Sequence, residues 1–419
     1  MSDKMKIAVY VRTLQPTSPA SARFQESILE GLQQLNAPQF HFVVLSDAIP
    51  PEFKDGPQIS YVALARPSRG AGIARRWKLL IGGIARRVLR LIGADSSHSY
   101  KRLTQWLAYE PAYFQQLREL DIRLIWNLGI DVLDAFVPFS MVIWDSNYRI
   151  HSMFPEYSYV GPAYEWHDKN APFLDRASYV IVGSEQGKQE VVEIFGAYSG
   201  KIRVIPFPTP TLPDRAQGGP GSVRPPYVFY PARFWPHKNH AVLVHALKSL
   251  HDRWGIVLHC VLSGINDGNL GYVMRMAENL GVGEQIEYVG NVSLEQLADL
   301  YRNATALVYC SAVGPDNFPP LEAMSVGCPV ITADVAGARE QYGEAAMFFE
   351  RTNEAQLAEC IKRLLDDAEL RKTLVAKGLQ RAAQWTPLDY ANSVLKILDE
   401  FALIARAWEH CDFGAELRA

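Results

Sequence analysis

The chain has 419 residues, 48% of them hydrophobic and 21% charged, and its 42 Lys and Arg against 45 Asp and Glu leave a net charge of −3. At about 150 residues per domain this length predicts two to three globular domains and excludes a single small module, a disordered chain and a fibrous repeat. The near-neutral balance gives no electrostatic footprint for nucleic acid, and no such partner is expected.

The longest charge-free stretch, Gly31 to Ser46, contains Gln33, Gln34, Asn36 and Gln39 and is no membrane span. The opening MSDKMKIAVYVR runs directly into a strand pattern without the apolar region of a signal peptide, so a cytoplasmic protein is expected. Cys260, Cys310, Cys328, Cys360 and Cys411 form no CxxC pair and read as reduced, mostly buried thiols.

In chain order, strand-like runs at Lys6–Val11, Phe40–Ser46, Ile59–Ala65, Arg123–Gly129, Ser140–Asp145, Tyr179–Ser184 and Ile202–Phe207 alternate with helical patterns. Near-continuous apolar strands separated by helices predict a doubly wound parallel sheet covered on both faces. Proline and glycine accumulate between Pro206 and Pro226, marking a linker. The rhythm then restarts with strands Tyr227–Ala232, Ile256–Gly264, Ile286–Gly290, Thr305–Ser311 and Pro329–Thr332, and helices from about Asn239, Leu270, Leu294 and Leu321. Beyond Asn353 only helical periodicity is read. The expected organisation is an N-terminal Rossmann-like domain (1–207), a linker (208–226), a second such domain (227–385) and a helical segment (386–419) that packs back on the first. Two open α/β sheets joined this way place their strand ends around one interdomain cleft, the usual ligand site of such sheets.

Arg233 and Lys238 leave a strand and enter a helix five positions apart; they suit an anionic diphosphate, or form a solvated turn. The segment Ser311–Met324 follows the strand Thr305–Cys310, and its proline-led helix start offers free N–H groups to phosphate oxygens. Glu322 is placed in that first turn, either as a dipole partner or as an acceptor for ligand hydroxyls. No aspartate pair of the DxD kind sits at a strand end, and no metal or other cofactor is expected.

In order and setting, these segments resemble the C-terminal domain of family 4 retaining glycosyltransferases, which have the GT-B fold and bind a nucleotide-sugar without a metal. Supporting pieces are Ser263-Gly264, Tyr288 to Val292, Gly327 to Ile331, Gly337 to Glu340 and Gly343 to Ala346. The resemblance assigns Arg233 and Lys238 to the donor diphosphate, Glu322 to its ribose as the second glutamate of an E-x7-E motif, and backbone at Asn291 and Val292 to its base. Gly314 stands where the first glutamate of that motif belongs. In the variant Gly-Pro-Asp-Asn-Phe-Pro-Pro, Asp316 or Asn317 is then expected to reach the sugar, with Gly314, Phe318 and Leu321 lining the donor pocket.

On the acceptor side, His151 follows Asp145-Ser146-Asn147-Tyr148-Arg149-Ile150 and is the candidate to orient sugar or acceptor, or else is structural. Small residues Ser18, Ala20, Ser21 and Ala22 stand where many relatives have a glycine-rich loop. Arg69, Arg75, Arg76, Lys78, Arg86, Arg87, Arg90, Lys101 and Arg102 face only Asp95, while Ile73, Trp77, Leu80, Ile84, Val88 and Leu91 recur at steps of three or four. This 69–102 stripe reads either as a helix on an anionic membrane surface or as a core-facing helix with a solvated basic face. The implied function is transfer of a hexose such as mannose from a GDP-, UDP- or dTDP-sugar to a glycan or lipid-linked acceptor, with front-face attack. The alternatives are a GT-B nucleotide-sugar epimerase and an inactive nucleotide-sugar-binding scaffold.

Overall fold

The computed structural model describes residues 4–14, 19–65, 81, 84, 85, 87, 88, 111–129, 131–133, 137–158, 171–213, 226–314 and 316–408, with backbone alone at 19–22, 111 and 112. The linker core 214–225, most of the 69–102 stripe, Ser18 and Cys411 lie outside these residues.

The strands are β1 (Met5–Tyr10), β2 (Phe40–Ser46), β3 (Ile59–Ala63), β4 (Ile122–Asn127), β5 (Phe139–Ile143), β6 (Tyr179–Val182) and β7 (Ile202–Val204), then β8 (Tyr227–Pro231), β9 (His259–Ser263), β10 (Ile286–Tyr288), β11 (Ala306–Tyr309), β12 (Val330–Ala333) and β13 (Ala346–Phe349). Among the described residues they form a seven-stranded sheet, β3-β2-β1-β4-β5-β6-β7, and a six-stranded sheet, β10-β9-β8-β11-β12-β13. Every strand pair is parallel. Strand order reverses between β1 and β4 and again between β8 and β11, the switch points where such sheets open a crevice at their carboxyl ends. Strand β13 was not expected: its four residues sit between two helices and are too short to show a period.

The helices of five or more described residues are α1 (Pro19–Gln34), α2 (Pro111–Glu119), α3 (Glu185–Phe195), α4 (His240–Trp254), α5 (Leu270–Asn279), α6 (Leu294–Asn303), α7 (Phe318–Ser325), α8 (Ala338–Tyr342), α9 (Glu354–Asp366), α10 (Ala368–Ala383) and α11 (Pro387–Ala405). Helix α9 buries Leu357, Ile361 and Leu364, and α10 buries Leu374 and Ala382, in the core of the second sheet. Helix α11 starts at a capping box, Thr386 with Asp389, and follows with Pro387 at its first position. It buries Tyr390, Val394, Ile397, Leu398 and Phe401 against Phe24, Ile28 and Leu32 of α1, so the chain's last described helix lies in the core of the first sheet. That apolar spacing is one face of a 3.6-residue period, and each side chain contributes about 1.5–3 kcal/mol by its burial.

Cys260, Cys310, Cys328 and Cys360 are unpaired and buried. Among the described residues, no helix is long and apolar enough to cross a membrane.

Candidate functional site

The loop after β8 turns through Pro236–Lys238, with Asn239 in the left-handed region (φ 55°) before α4 begins. Within the second domain, His237 O accepts from Ala312 N at 2.8 Å and Lys238 O accepts from Tyr230 Oη at 2.5 Å. The Lys238 ammonium donates to Tyr309 Oη at 3.3 Å and Ser311 Oγ at 3.4 Å, both at the end of β11, and has no carboxylate partner among the described residues. It is a cation at the switch point with one N–H left over.

Arg233 departs from the expectation of two free cations. The loop after β9 brings Asp267 to it, and the guanidinium donates from Nε and Nη2 to the two carboxylate oxygens at 2.7 and 2.8 Å while lying over the Trp235 ring. A bidentate pair satisfies the geometry that a phosphate would otherwise use.

The Ser311–Met324 segment also differs in detail. Helix α7 begins at Phe318, which puts Glu322 in its second turn, away from the dipole end. Pro319 and Pro320 carry no N–H and Asn317 N donates to Gln341 Oε1 at 3.0 Å, so the expected cradle of free N–H groups is largely absent. Gly314 has φ 117°, and a Cβ there would lie 2.9 Å from Asn317 Nδ2. The missing motif glutamate thus has a local cause, since this backbone conformation excludes a side chain.

Asn317 is internal: Oδ1 accepts from Tyr309 Oη at 2.8 Å, Nδ2 donates to Gly314 O at 3.0 Å, and its carbonyl accepts from Gln341 Nε2 and Tyr342 Oη at 3.1 Å. With its polar atoms occupied it buttresses the loop and does not reach a sugar. Phe318 packs against Phe24, Trp144 and Phe207 in the apolar contact between domains, and Leu321 is largely buried and lines a cavity with Ser184 and Asp316. Asn291 is exposed and Val292 half-buried just beyond β10, where Gly264 N donates to Gly290 O at 2.9 Å and ties the β9 and β10 ends together.

Four carboxylates join the two domains. Glu322 has no exposed surface; it accepts from Tyr301 Oη at 2.9 Å and forms an ion pair with Arg23 of α1. The ribose contact implied by resemblance is therefore not what Glu322 makes here: Arg23 fills the space beside it. Asp316 accepts from Ser184 Oγ at 3.2 Å and rests on Gly183, where a Cβ would come within 2.7 Å of the carboxyl. Burial, augmented by Glu340, Glu190 and Asp145 and opposed by the Ser184 hydrogen bond, raises its pKa to about 7. Glu340 caps the start of α3, accepting from Glu185 N at 2.7 Å and Gln186 N at 3.3 Å.

The fourth carboxylate belongs to the first domain. Glu156 Oε1 accepts from His237 N at 2.9 Å and lies 2.5 Å from His237 Nδ1, with both side chains buried. A carboxylate only accepts, so Nδ1 carries the proton and Nε2 faces Tyr157 Oη at 3.4 Å. Burial and the neighbouring Lys238 push the His237 pKa down to about 4. Burial raises the Glu156 carboxyl, but the hydrogen bonds from His237 outweigh it and hold it below its ordinary value.

His151 sits half-buried just past the turn Asn147–Ile150, where burial and then the charge of Arg351 lower its pKa. Arg351 follows β13 and donates to Ala312 O at 3.0 Å; it is a second-domain cation absent from the sequence reading. Sequence reasoning quoted Glu156, His237 and Glu340 without giving them roles, and passed over Arg23, Ser184 and Arg351. Their only signal was proximity to strand ends. A cavity of about 270 Å³ lies between Ser184, Thr209, Asp316, Glu340 and Trp385, and an open cleft of about 860 Å³ lies between α3 and the β12–α8 loop.

Residues 217–381 match the family of glycosyl transferases group 1. The chain is 26% identical over 194 residues to the O-antigen chain mannosyltransferase RfbU of Salmonella typhimurium, covering 46% of this chain and 52% of that protein. It is 24% identical over 241 residues to O-antigen chain mannosyltransferase B of Escherichia coli, covering 55% and 62%. The matches thus span only about half to three fifths of these relatives' own length. Among solved structures, Anabaena Alr3699/HepE in complex with UDP-glucose superposes with a TM-score of 0.62 at 14% identity, covering 94% of this chain and all of that one. WaaG, a glycosyltransferase involved in lipopolysaccharide biosynthesis, gives 0.59 at 13% identity, covering 93% and 99%. The chain therefore has the GT-B fold, and its residues 217–381 match the glycosyl transferases group 1 family.

Proposed function

We propose that the chain is a retaining glycosyltransferase of the family 4 type that moves a hexosyl group from a nucleoside diphosphate to a hydroxyl of a bacterial glycan or lipid-linked oligosaccharide. The names of its relatives favour mannose as the sugar. The observation that carries this reading is Lys238, a cation without a carboxylate partner among the described residues at the β8/β11 switch point, with Arg351 beside the same loop. As the bond from the anomeric carbon to the departing phosphate oxygen breaks, the acceptor hydroxyl oxygen bonds to that carbon from the same face, its proton passes to the departing phosphate oxygen, and Lys238 offsets the charge left on the diphosphate. No metal is needed in this scheme.

The base would lie at Asn291 and Val292, two strands and roughly 10 Å across the sheet from the Lys238 loop. Donor entry would exchange Arg23 for ribose hydroxyls on Glu322. On the acceptor side His151, which burial and Arg351 keep neutral, would accept a hydrogen bond from the sugar or acceptor. Within the 69–102 stripe Ile81, Ile84 and Val88 are helical and expose 58%, 57% and 50% of their surface, so these apolar positions face away from a core. That exposure favours a peripheral contact with anionic membrane, at the cytoplasmic face where lipid-linked acceptors are assembled.

The test is a thermal-shift screen with UDP, GDP, ADP and dTDP, then transfer assays with the matching sugar donor. K238A should lose roughly 100- to 1,000-fold in turnover with native folding. Near-normal transfer by K238A sinks the assignment, and epimer formation from donor alone, or binding without turnover, replaces it with an epimerase or a scaffold.

A further inference from the structure

The Lys238 loop is held by contacts from both domains. Ala312 N on His237 O and Tyr230 Oη on Lys238 O are internal to the second sheet, whereas Glu156 takes both N–H groups of His237 from across the cleft. The short helical turn Pro155–Tyr157 that presents Glu156 follows directly on His151, so one segment of about a dozen residues carries both the acceptor-side histidine and the partner of the cationic loop. It is seated firmly. Tyr148 and Tyr157 form an apolar cluster with Ala312 and Val313, with Phe154 and Trp235 packed against it, and the Tyr157 ring stacks on His237 at 4.9 Å between centroids. Glu156 Oε2 has no hydrogen-bond partner among the described residues, and the carboxylate meets His237 through its other oxygen.

We infer that Glu156 is a positioning residue: it sets the backbone of the Lys238 loop from the acceptor-binding domain, so that the ammonium is in place for a diphosphate only when the two domains are docked. His237 is the relay. Its neutral imidazole and its main-chain N–H both point at the same carboxylate oxygen, and the next residue along the chain is Lys238. This rests on the reading of Lys238 as a diphosphate ligand, and the experiment separates the two.

The measurement is binding of the nucleoside diphosphate found in the ligand screen, by calorimetry on the full chain, for wild type, E156A, K238A and the double variant. E156A should weaken binding about tenfold, the loss of one to two hydrogen bonds that order the loop. In the K238A background the same change should cost less than about twofold, because a residue acting through Lys238 has nothing left to act on. A purely structural role predicts equal losses in both backgrounds. E156Q keeps an oxygen that accepts from both His237 N–H groups and places an amide where Oε2 stands alone, so it should recover most of the lost affinity. If E156A does not fold, E156D, one methylene short, serves in its place. Wild-type affinity in folded E156A, additive losses in the double variant, or no recovery in E156Q overturns the inference. A wild-type protein that binds none of the nucleoside diphosphates removes the functional reading itself, and this inference falls with it.

Discussion

Replacing Arg23 with alanine leaves the Glu322 carboxylate buried without its counter-charge, and this perturbation is the sharpest test of how the two domains are held together. Glu322 has no exposed surface, the Arg23 side chain exposes 13%, and Tyr301 Oη donates a hydrogen bond to the carboxylate. Removing one partner of a buried ion pair costs about 3–5 kcal/mol, because the charge left behind keeps its desolvation penalty and loses its attraction. The opposite change is milder. E322Q retains an oxygen for Tyr301 and leaves behind a guanidinium that reaches some water, so its cost is about 1–3 kcal/mol. At about 2–4 °C per kcal/mol for a domain of this size, R23A should melt roughly 6–20 °C below wild type and E322Q should fall clearly less. The assay is thermal unfolding of wild type, both single variants and R23A/E322Q, followed by far-ultraviolet circular dichroism. The double variant should be more stable than the sum of the single losses predicts, since neutralising Glu322 removes the stranded charge. An R23A melting temperature within about 2 °C of wild type, or strictly additive losses, refutes the argument that this pair fastens α1 to α7.

Further outcomes follow from the other contacts across the cleft. Asp316 is held near pKa 7 by burial, so between pH 4 and 7 the folded protein binds a proton that the unfolded chain has released, and its contribution to stability falls as pH rises through that window. D316N, which still accepts from Ser184, should therefore be more stable than wild type at pH 8, by about 4 kcal/mol at most, with the difference vanishing near pH 4 in urea titrations at the two pH values. E340A removes the acceptor of the Glu185 and Gln186 N–H groups at the start of α3 and should cost about 1 kcal/mol and widen the interdomain distance seen by small-angle scattering; an unchanged profile and midpoint speak against this contact. Transfer should persist in EDTA, and dependence on an added divalent cation contradicts the metal-independent scheme. The protein should float with vesicles containing anionic lipid and dissociate in high salt, whereas binding neutral vesicles equally well removes the basic stripe from the explanation.

The sequence by itself determined the architecture of this protein. Two runs of buried parallel strands divided by a proline-rich stretch, and an amphipathic period in 387–405, express burial patterns that repeat locally, so they are legible without partners. The expected site residues follow β8, β11 and β5 in the chain. What those side chains touch was decided by the tertiary structure alone. Arg233 reads as a free cation until the β9 loop supplies Asp267, and Glu322 reads as a ligand group until α1 supplies Arg23. The Glu156 and His237 pair joins residues from different domains, and no spacing rule relates them. Gly314 reads as a lost catalytic position, yet its positive φ shows a turn that only glycine fits. Local periodicity reports which face of an element is buried; the choice of partner for a buried charge depends on domain docking, where desolvation leaves each carboxylate costly until a donor from elsewhere in the chain meets it.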